Sequence, residues 1–390
     1  MSLMSLKMLW LRRIRTSALT CAVVSIACGL IACTSTPSTT FDWRLPQTIS
    51  PPIAPTDNPI TEAKFQLGRH LFYDVRLSGN DTQACATCHV QAAAFTDGTR
   101  RSTGSTGLRH PRNAMPLTNA GYLRVLNWAD PSITTLEQQV EGPLFNMHPI
   151  EMGARGNEER ILARLRADSR YRDLFAHAFP GEQNAINWPN IQRTLATFVR
   201  GLVSFRSYYD RYVAGDANSL SPAAARGLSL FNSERLKCAQ CHAGPHFTLA
   251  ASTSTAYFNT GLYNIDGAGA YPPDNIGLMA TTADSRDMGK FRVPSLRNVV
   301  LTAPYMHDGS VFILEEVIRF YERGGRLITQ GENAGDGKLS PLKDARITGF
   351  MLSDDERRDL LTFLNSLTDE AFITDTRFGD PFAKQLQDYK

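Results

Sequence analysis

Two C-x-x-C-H motifs constrain this chain more than any other feature: Cys85-Ala-Thr-Cys88-His89 and Cys238-Ala-Gln-Cys241-His242. In that spacing two thiols can add across the vinyl groups of one porphyrin, and the adjoining imidazole is placed beneath the iron as an axial ligand. One copy would also suit a thioredoxin-like dithiol, and four cysteines together would suit a zinc site. Two complete copies, the second beginning 153 residues after the first, favour two covalently bound c-type haems. The chain has seven cysteines, and the other three, Cys21, Cys28 and Cys33, lie near the N-terminus. With Cys21 and Cys28 read as part of an export signal and Cys33 as its lipid site, no thiol pair is left over for the structural disulfides common outside the cytoplasm.

That N-terminus has the layout of an export signal. Lys7, Arg12, Arg13 and Arg15 precede an apolar run at 18–32, too short to favour a permanent membrane span. The run closes on Leu30-Ile31-Ala32-Cys33, which resembles a bacterial lipobox whose cysteine is acylated. An ordinary signal peptide or an uncleaved anchor are the other readings. Residues 1–33 are therefore expected to be a lipoprotein-type signal, and the Ser/Thr/Pro-rich stretch 34–56 a flexible tether. The expected location is the periplasm, with a lipid anchor at Cys33. Once the four basic residues of the signal are removed, the 41 basic side chains fall almost level with the 38 acidic ones. Nothing in that balance calls for nucleic acid.

A chain of 390 residues can fill two cores, and the motif spacing suggests one haem per domain, residues 57–214 and 215–390. The predicted fold class is mainly α: two cytochrome c-like haem domains with long irregular loops. Residues 61–73 carry Phe65, Leu67, Leu71 and Phe72 at helical spacing and lead towards the first motif. Residues 158–179 and 189–212 read as two long amphipathic stretches. Ser221-Pro222 is an N-cap with proline at the first helical position, opening a helix that runs into the second motif. Gly, Asn and Ser dominate 251–289, which predicts a long loop. Ser353-Asp-Asp-Glu356 is a capping box that opens a final helix to about residue 367.

Several further motifs, in order, give a resemblance to the bacterial di-haem cytochrome c peroxidases and their relative MauG. They are Phe72-Tyr-Asp-Val-Arg-Leu-Ser78, Arg112-Asn113, Asn119-Ala120, Trp128, Glu151-Met152-Gly153, Pro294-Ser-Leu-Arg-Asn298 and Thr302-Ala-Pro-Tyr-Met-His-Asp-Gly309. The stretches Tyr257-Phe-Asn-Thr-Gly-Leu-Tyr-Asn264, Gly269-Ala-Tyr-Pro272 and Asp287-Met-Gly-Lys-Phe291, with Asn127-Trp-Ala-Asp130, look most like the MbnH branch. Those enzymes are associated with methanobactin gene clusters and oxidise a partner tryptophan to kynurenine.

The resemblance implies roles residue by residue. His89 and His242 are the proximal ligands, the first haem reacting with peroxide and the second serving electron transfer. Tyr321 stands where the peroxidases carry an axial Met and where MauG-like proteins carry Tyr; Met306, Met279 and Met288 are the alternatives. A thioether suits electron transfer, whereas a phenolate favours ferric and higher states. Ser105 occupies the position of the removable distal histidine, with His110 as a nearby substitute or an ordinary loop residue. Glu151 matches the distal acid, and His148 is a second candidate for the same pocket. Trp128 matches the indole between the haems. Asn113, with the carbonyls of Thr302 and Pro304, matches a calcium site between the domains.

Three functions follow as readings. The leading one is a MauG/MbnH-like enzyme that uses hydrogen peroxide to reach a high-valent di-haem state and oxidises an exported partner protein, such as a copper-binding one. The second is a cytochrome c peroxidase supplied with electrons by a small cytochrome. The third is an electron-transfer cytochrome without catalysis.

Overall fold

The computed structural model describes residues 41–383. The export signal, Cys33 and the first part of the tether fall outside the described residues. From Phe41 onward the stretch expected to be flexible is docked on the body. Phe41 is buried, 5.1 Å from the Phe65 ring and beneath the Arg377 guanidinium at 4.5 Å.

Helix α1 (Glu62–Tyr73) starts where Thr61 Oγ1 accepts the Lys64 N–H, and it buries Phe65, Leu67, Leu71 and Phe72. The first cysteine motif follows as one turn, α2 (Cys85–Cys88). After α3 (Leu136–Phe145), the stretch predicted as a single amphipathic unit is two helices, α4 (Glu158–Ala167) and α5 (Ser169–Ala178). Asp168 separates them, because its carboxylate accepts the Arg170 N–H and caps the second. The next stretch divides as well. Helix α6 (Trp188–Arg200) ends at Gly201, an extended segment follows, and Ser207 caps α7 (Tyr208–Val213).

Helix α8 (Pro222–Phe231) has the expected Ser221 cap and leading proline, but it stops short of Cys238. The 251–289 region is largely irregular with the short helix α9 (Met279–Thr282), yet it also contains strand β1 (Tyr257–Asn259). This strand pairs antiparallel with β2 (Lys290–Arg292). Helix α10 (Leu314–Arg323) leads to a second small hairpin, β3 (Leu327–Ile328) with β4 (Gly335–Asp336). Helix α11 (Asp354–Asn365) opens with the Ser353/Glu356 capping box. It is followed by α12 (Glu370–Thr374), so the predicted final helix is not the last.

The mainly helical fold repeats one packing device. Helix α1 crosses α6 so closely that a Cβ on Gly68 would sit 1.9 Å from the Thr194 carbonyl oxygen. Helix α8 crosses α11 in the same way, with Gly227 placed 2.0 Å, by the same measure, from the Asp359 oxygen. In each crossing the glycine-bearing helix, α1 or α8, precedes a cysteine motif. Around the first lies a core containing Phe65, Phe72, Phe95 and Phe198; around the second, Phe231, Phe247, Leu360 and Phe363. The C-terminal segment returns Phe372 and Phe378 to the first core, so the two cores do not divide in simple chain order. A third cluster, of Trp128, Leu262, Tyr263, Tyr271, Phe291 and Phe320, is rich in aromatic and polar-tipped side chains. Among the described residues no helix is long and apolar enough to cross a membrane.

Candidate active site

Each C-x-x-C-H motif folds into a single turn closed by the histidine's own backbone. His89 N–H donates to the Cys85 carbonyl at 3.0 Å, and His242 N–H donates to that of Cys238 at 2.9 Å. Both thiols and the imidazole are thereby gathered at one end of the turn. The four cysteines are free, and burial pushes Cys85 up to about 12 and Cys88 up to about 11.

The two imidazoles are oriented by matching contacts. His89 Nδ1 lies 2.8 Å from the Phe95 carbonyl, and His242 Nδ1 lies 3.1 Å from that of Phe247. Both phenylalanines adopt positive φ, at 63° and 51°, which turns each carbonyl back towards its histidine. A ring that donates through Nδ1 presents Nε2 as the free lone pair, the arrangement a metal-ligating histidine requires. Burial lowers both histidines, His242 to about 4, so both rings are neutral. These carbonyls were not legible in sequence, since a backbone acceptor carries no residue signature. The Pro294–Asn298 motif contained Arg297 but not its contacts: fully buried under Phe205, it grips Asp210 at 2.8 Å and the Pro245 carbonyl at 2.7 Å. It thereby fixes the loop that carries Phe247.

His242 opens onto a large, mostly apolar cavity, and Tyr321 on α10 lines the same space. Of the alternative ligands, Met306 lines it too, while Met279 and Met288 do not. Burial, then the neighbouring Cys241 and Cys238, push the Tyr321 phenol upward. A bare phenolate would be unfavourable there, and a ferric iron is the kind of charge that offsets it. The cavity and the free Nε2 fit a haem held between His242 and one of these side chains.

At the first motif, Glu151 sits on a tightly held loop. Its carbonyl accepts the Ser105 N–H at 2.7 Å, and the next residue, Met152, bonds to Pro143 and Gly79. Gly104 must be glycine, because its Cβ would fall 1.9 Å from the Ile150 oxygen. Ser105 thus packs beside Glu151 through its backbone. The nearest imidazole to the carboxylate is His110, whose Nε2 stands 3.5 Å from Glu151 Oε1. His148, considered for this pocket from sequence, is exposed and makes no side-chain hydrogen bond with the described residues. A carboxylate paired with an imidazole can hold and pass protons.

Between the motifs runs a packed connection. The Met115 carbonyl lies against His89, and the Met115 side chain packs in the cluster around Trp128. Trp128 is buried, donates Nε1–H to the Asn113 carbonyl at 3.0 Å and lines the His242 cavity. Arg292, stacked 5.7 Å from Trp128, is buried with Nε and Nη1 unpaired. Asn113, Thr302 and Pro304 also border this cavity. The Asn113 amide nitrogen donates to the Thr99 carbonyl, which leaves its oxygen available for a cation. No group of three or more His, Cys, Asp or Glu residues suited to a metal occurs among the described residues. A calcium site here would rest on neutral oxygens.

Comparison with known proteins agrees with this geometry. Residues 62–218 match the family model described as di-haem cytochrome c peroxidase. The chain is 33% identical to cytochrome-c peroxidase IdrP1 of Pseudomonas sp. (strain SCT), over 85% of this chain and 88% of that one. It is 34% identical to methylamine utilization protein MauG of Methylophilus methylotrophus, over 80% and 85%. A crystal structure of a MauG-like protein associated with microbial copper homeostasis superposes with a TM-score of 0.85 at 50% identity, covering 88% of this chain and all of that one. With two histidine-bearing motifs of the same design, the chain belongs to the di-haem cytochrome c peroxidase and MauG family, haem-dependent oxidoreductases that act with peroxide and carry two c-type haems.

Proposed function

We propose that this enzyme uses hydrogen peroxide to oxidise a residue of an exported partner protein, in the MbnH manner, with conversion of tryptophan to kynurenine as the reaction. The observation that carries this reading is Tyr321 lining the His242 cavity. A phenolate ligand stabilises oxidised iron and makes the second site a poor acceptor from a donor cytochrome. The similarity to a MauG-like protein associated with copper homeostasis supports a copper-binding protein as that partner. In this proposal the domains are residues 57–214 and 215–390, with export to the periplasm and acylation at Cys33.

Cys85, Cys88 and His89 hold the first haem, and Cys238, Cys241, His242 and Tyr321 hold the second. When bound, the haems supply the iron chemistry that takes peroxide apart. Glu151 would take up and return the proton that peroxide cleavage requires, with His110 as its proton partner. Trp128 carries electrons between the two sites. Asn113 Oδ1 and the carbonyls of Thr302 and Pro304 hold a calcium ion that steadies the segments between them.

The test is to mix enzyme, peroxide and a candidate exported partner, then map oxygen added to a partner tryptophan by peptide mass. Rapid turnover with a reduced small cytochrome and an unmodified partner would replace this reading with the cytochrome c peroxidase. Two observations favour that second reading: Met306 lines the His242 cavity, and an imidazole stands beside Glu151. The non-catalytic carrier is set aside because the chain belongs to an enzyme family.

A further inference from the structure

Tyr263 and Asp308 form a buried pair that none of the roles above uses. Tyr263 Oη donates to Asp308 Oδ2 at 2.6 Å, and both side chains are almost wholly enclosed. Asp308 Oδ1 also accepts the Ser310 N–H, and the Arg100 guanidinium lies 3.8 Å away. Arg100 is half exposed and lines a polar cleft that reaches Cys88 of the first motif. On its other side, the Tyr263 ring is 5.4 Å from Tyr271, which lies 6.3 Å from Phe291 and 6.2 Å from His307. Phe291 and His307 stack at 3.5 Å and line the His242 cavity. The pair therefore stands at the end of an aromatic row that starts at one haem site and finishes beside a cleft of the other.

We infer that Tyr263 is a redox-active tyrosine, with Asp308 as its proton acceptor, that takes up oxidising equivalents left by peroxide. One electron leaves the Tyr263 ring through Tyr271 and the Phe291/His307 stack to the oxidised haem site. The phenolic proton moves along the existing hydrogen bond to Asp308 Oδ2. The products are a neutral tyrosyl radical and a protonated Asp308, and the electron fills one of the two holes made as peroxide is reduced to water. An external reductant later returns the electron, and Asp308 returns the proton.

The chemical reason lies in the partner of the phenol. Oxidation makes a tyrosine very acidic, so a base must stand within hydrogen-bond reach. Burial, then the charge of Asp308, push the Tyr263 phenol upward, so it remains protonated until it is oxidised. The neighbouring Tyr271 donates to the Asn259 amide oxygen, which cannot keep a proton. Tyr171 does meet a carboxylate, Asp74, but Arg76 grips that group at 2.7 Å, whereas the guanidinium nearest the Asp308 carboxylate stands off at 3.8 Å. Tyr171 also lies in the first core, away from the aromatic row.

This inference rests on the family's peroxide chemistry and not on the partner, so its test omits the partner. Ferric holoenzyme is mixed with hydrogen peroxide without reductant, frozen within milliseconds to seconds, and examined by electron paramagnetic resonance. A radical signal is expected that narrows when the protein is grown with ring-deuterated tyrosine. It should be lost in Tyr263→Phe, lose most of its intensity in Asp308→Asn, and persist in Tyr171→Phe. Should a variant fail to incorporate both haems, peptide mapping of peroxide-treated wild-type protein locates the oxidised tyrosine without a substitution. An undiminished signal in Tyr263→Phe, or a lineshape indifferent to deuterated tyrosine, would overturn the assignment.

Discussion

His110 Nε2 stands 3.5 Å from Glu151 Oε1, although 41 positions separate them in the chain. The pairing gives the distal acid a second group with which to share a proton. Glu151→Gln should keep both haem spectra and slow the reaction with peroxide by about 10²–10⁴-fold in stopped-flow absorbance, the range expected when general acid–base transfer is lost. His110→Ala should slow it less, because the carboxylate remains.

Tyr321 and Met306 both line the His242 cavity, so ligation is decided by substitution. Tyr321→Phe should alter the ferric absorption spectrum and shift the low-spin resonance of one haem. Met306→Leu should leave both unchanged. The reverse pattern would assign the iron to sulfur and raise the expected reduction potential.

Covalent attachment predicts a simple mass result. Denatured mature protein should retain two haems, and replacing Cys238 and Cys241 with Ala should remove one. Intact mass spectrometry reads both outcomes directly.

Arg297 is 1% exposed and bonds Asp210 through both terminal nitrogens. Arg297→Met leaves that carboxylate without its partner and frees the loop of Phe247. A loss of about 3–5 kcal/mol in denaturant unfolding is expected, as for other broken buried pairs. Arg297→Lys should recover only part of it, since one ammonium cannot replace the forked contact.

His307 stacks on Phe291 and is lowered to about 3 by burial. Its folded value lies below its unfolded one near 6.5, so its contribution is complete above 6.5 and is lost as pH falls towards the folded value. Across that window the unfolded chain binds one more proton, and stability should fall by about 1.4 kcal/mol per pH unit from this group. His307→Gln should show a shallower decline between pH 6 and pH 4 in urea unfolding.

What the sequence determined by itself was the local and covalent chemistry. The two C-x-x-C-H motifs specify attachment because four bonds and two ligands are encoded within five residues each. The caps at Ser221 and Ser353 were equally legible, since a cap is an interaction over three positions. Amphipathic spacing identified helical stretches but not their breaks at Asp168 and Gly201, because periodicity records which face is buried and not where the backbone turns. Only tertiary structure decided the pairings of Glu151 with His110, Tyr263 with Asp308 and Arg297 with Asp210. It also decided which carbonyls orient His89 and His242. Each of those relationships joins groups that neither spacing nor residue type links; for Tyr263 and Arg297, burial leaves a polar atom no partner except the one the fold brings to it.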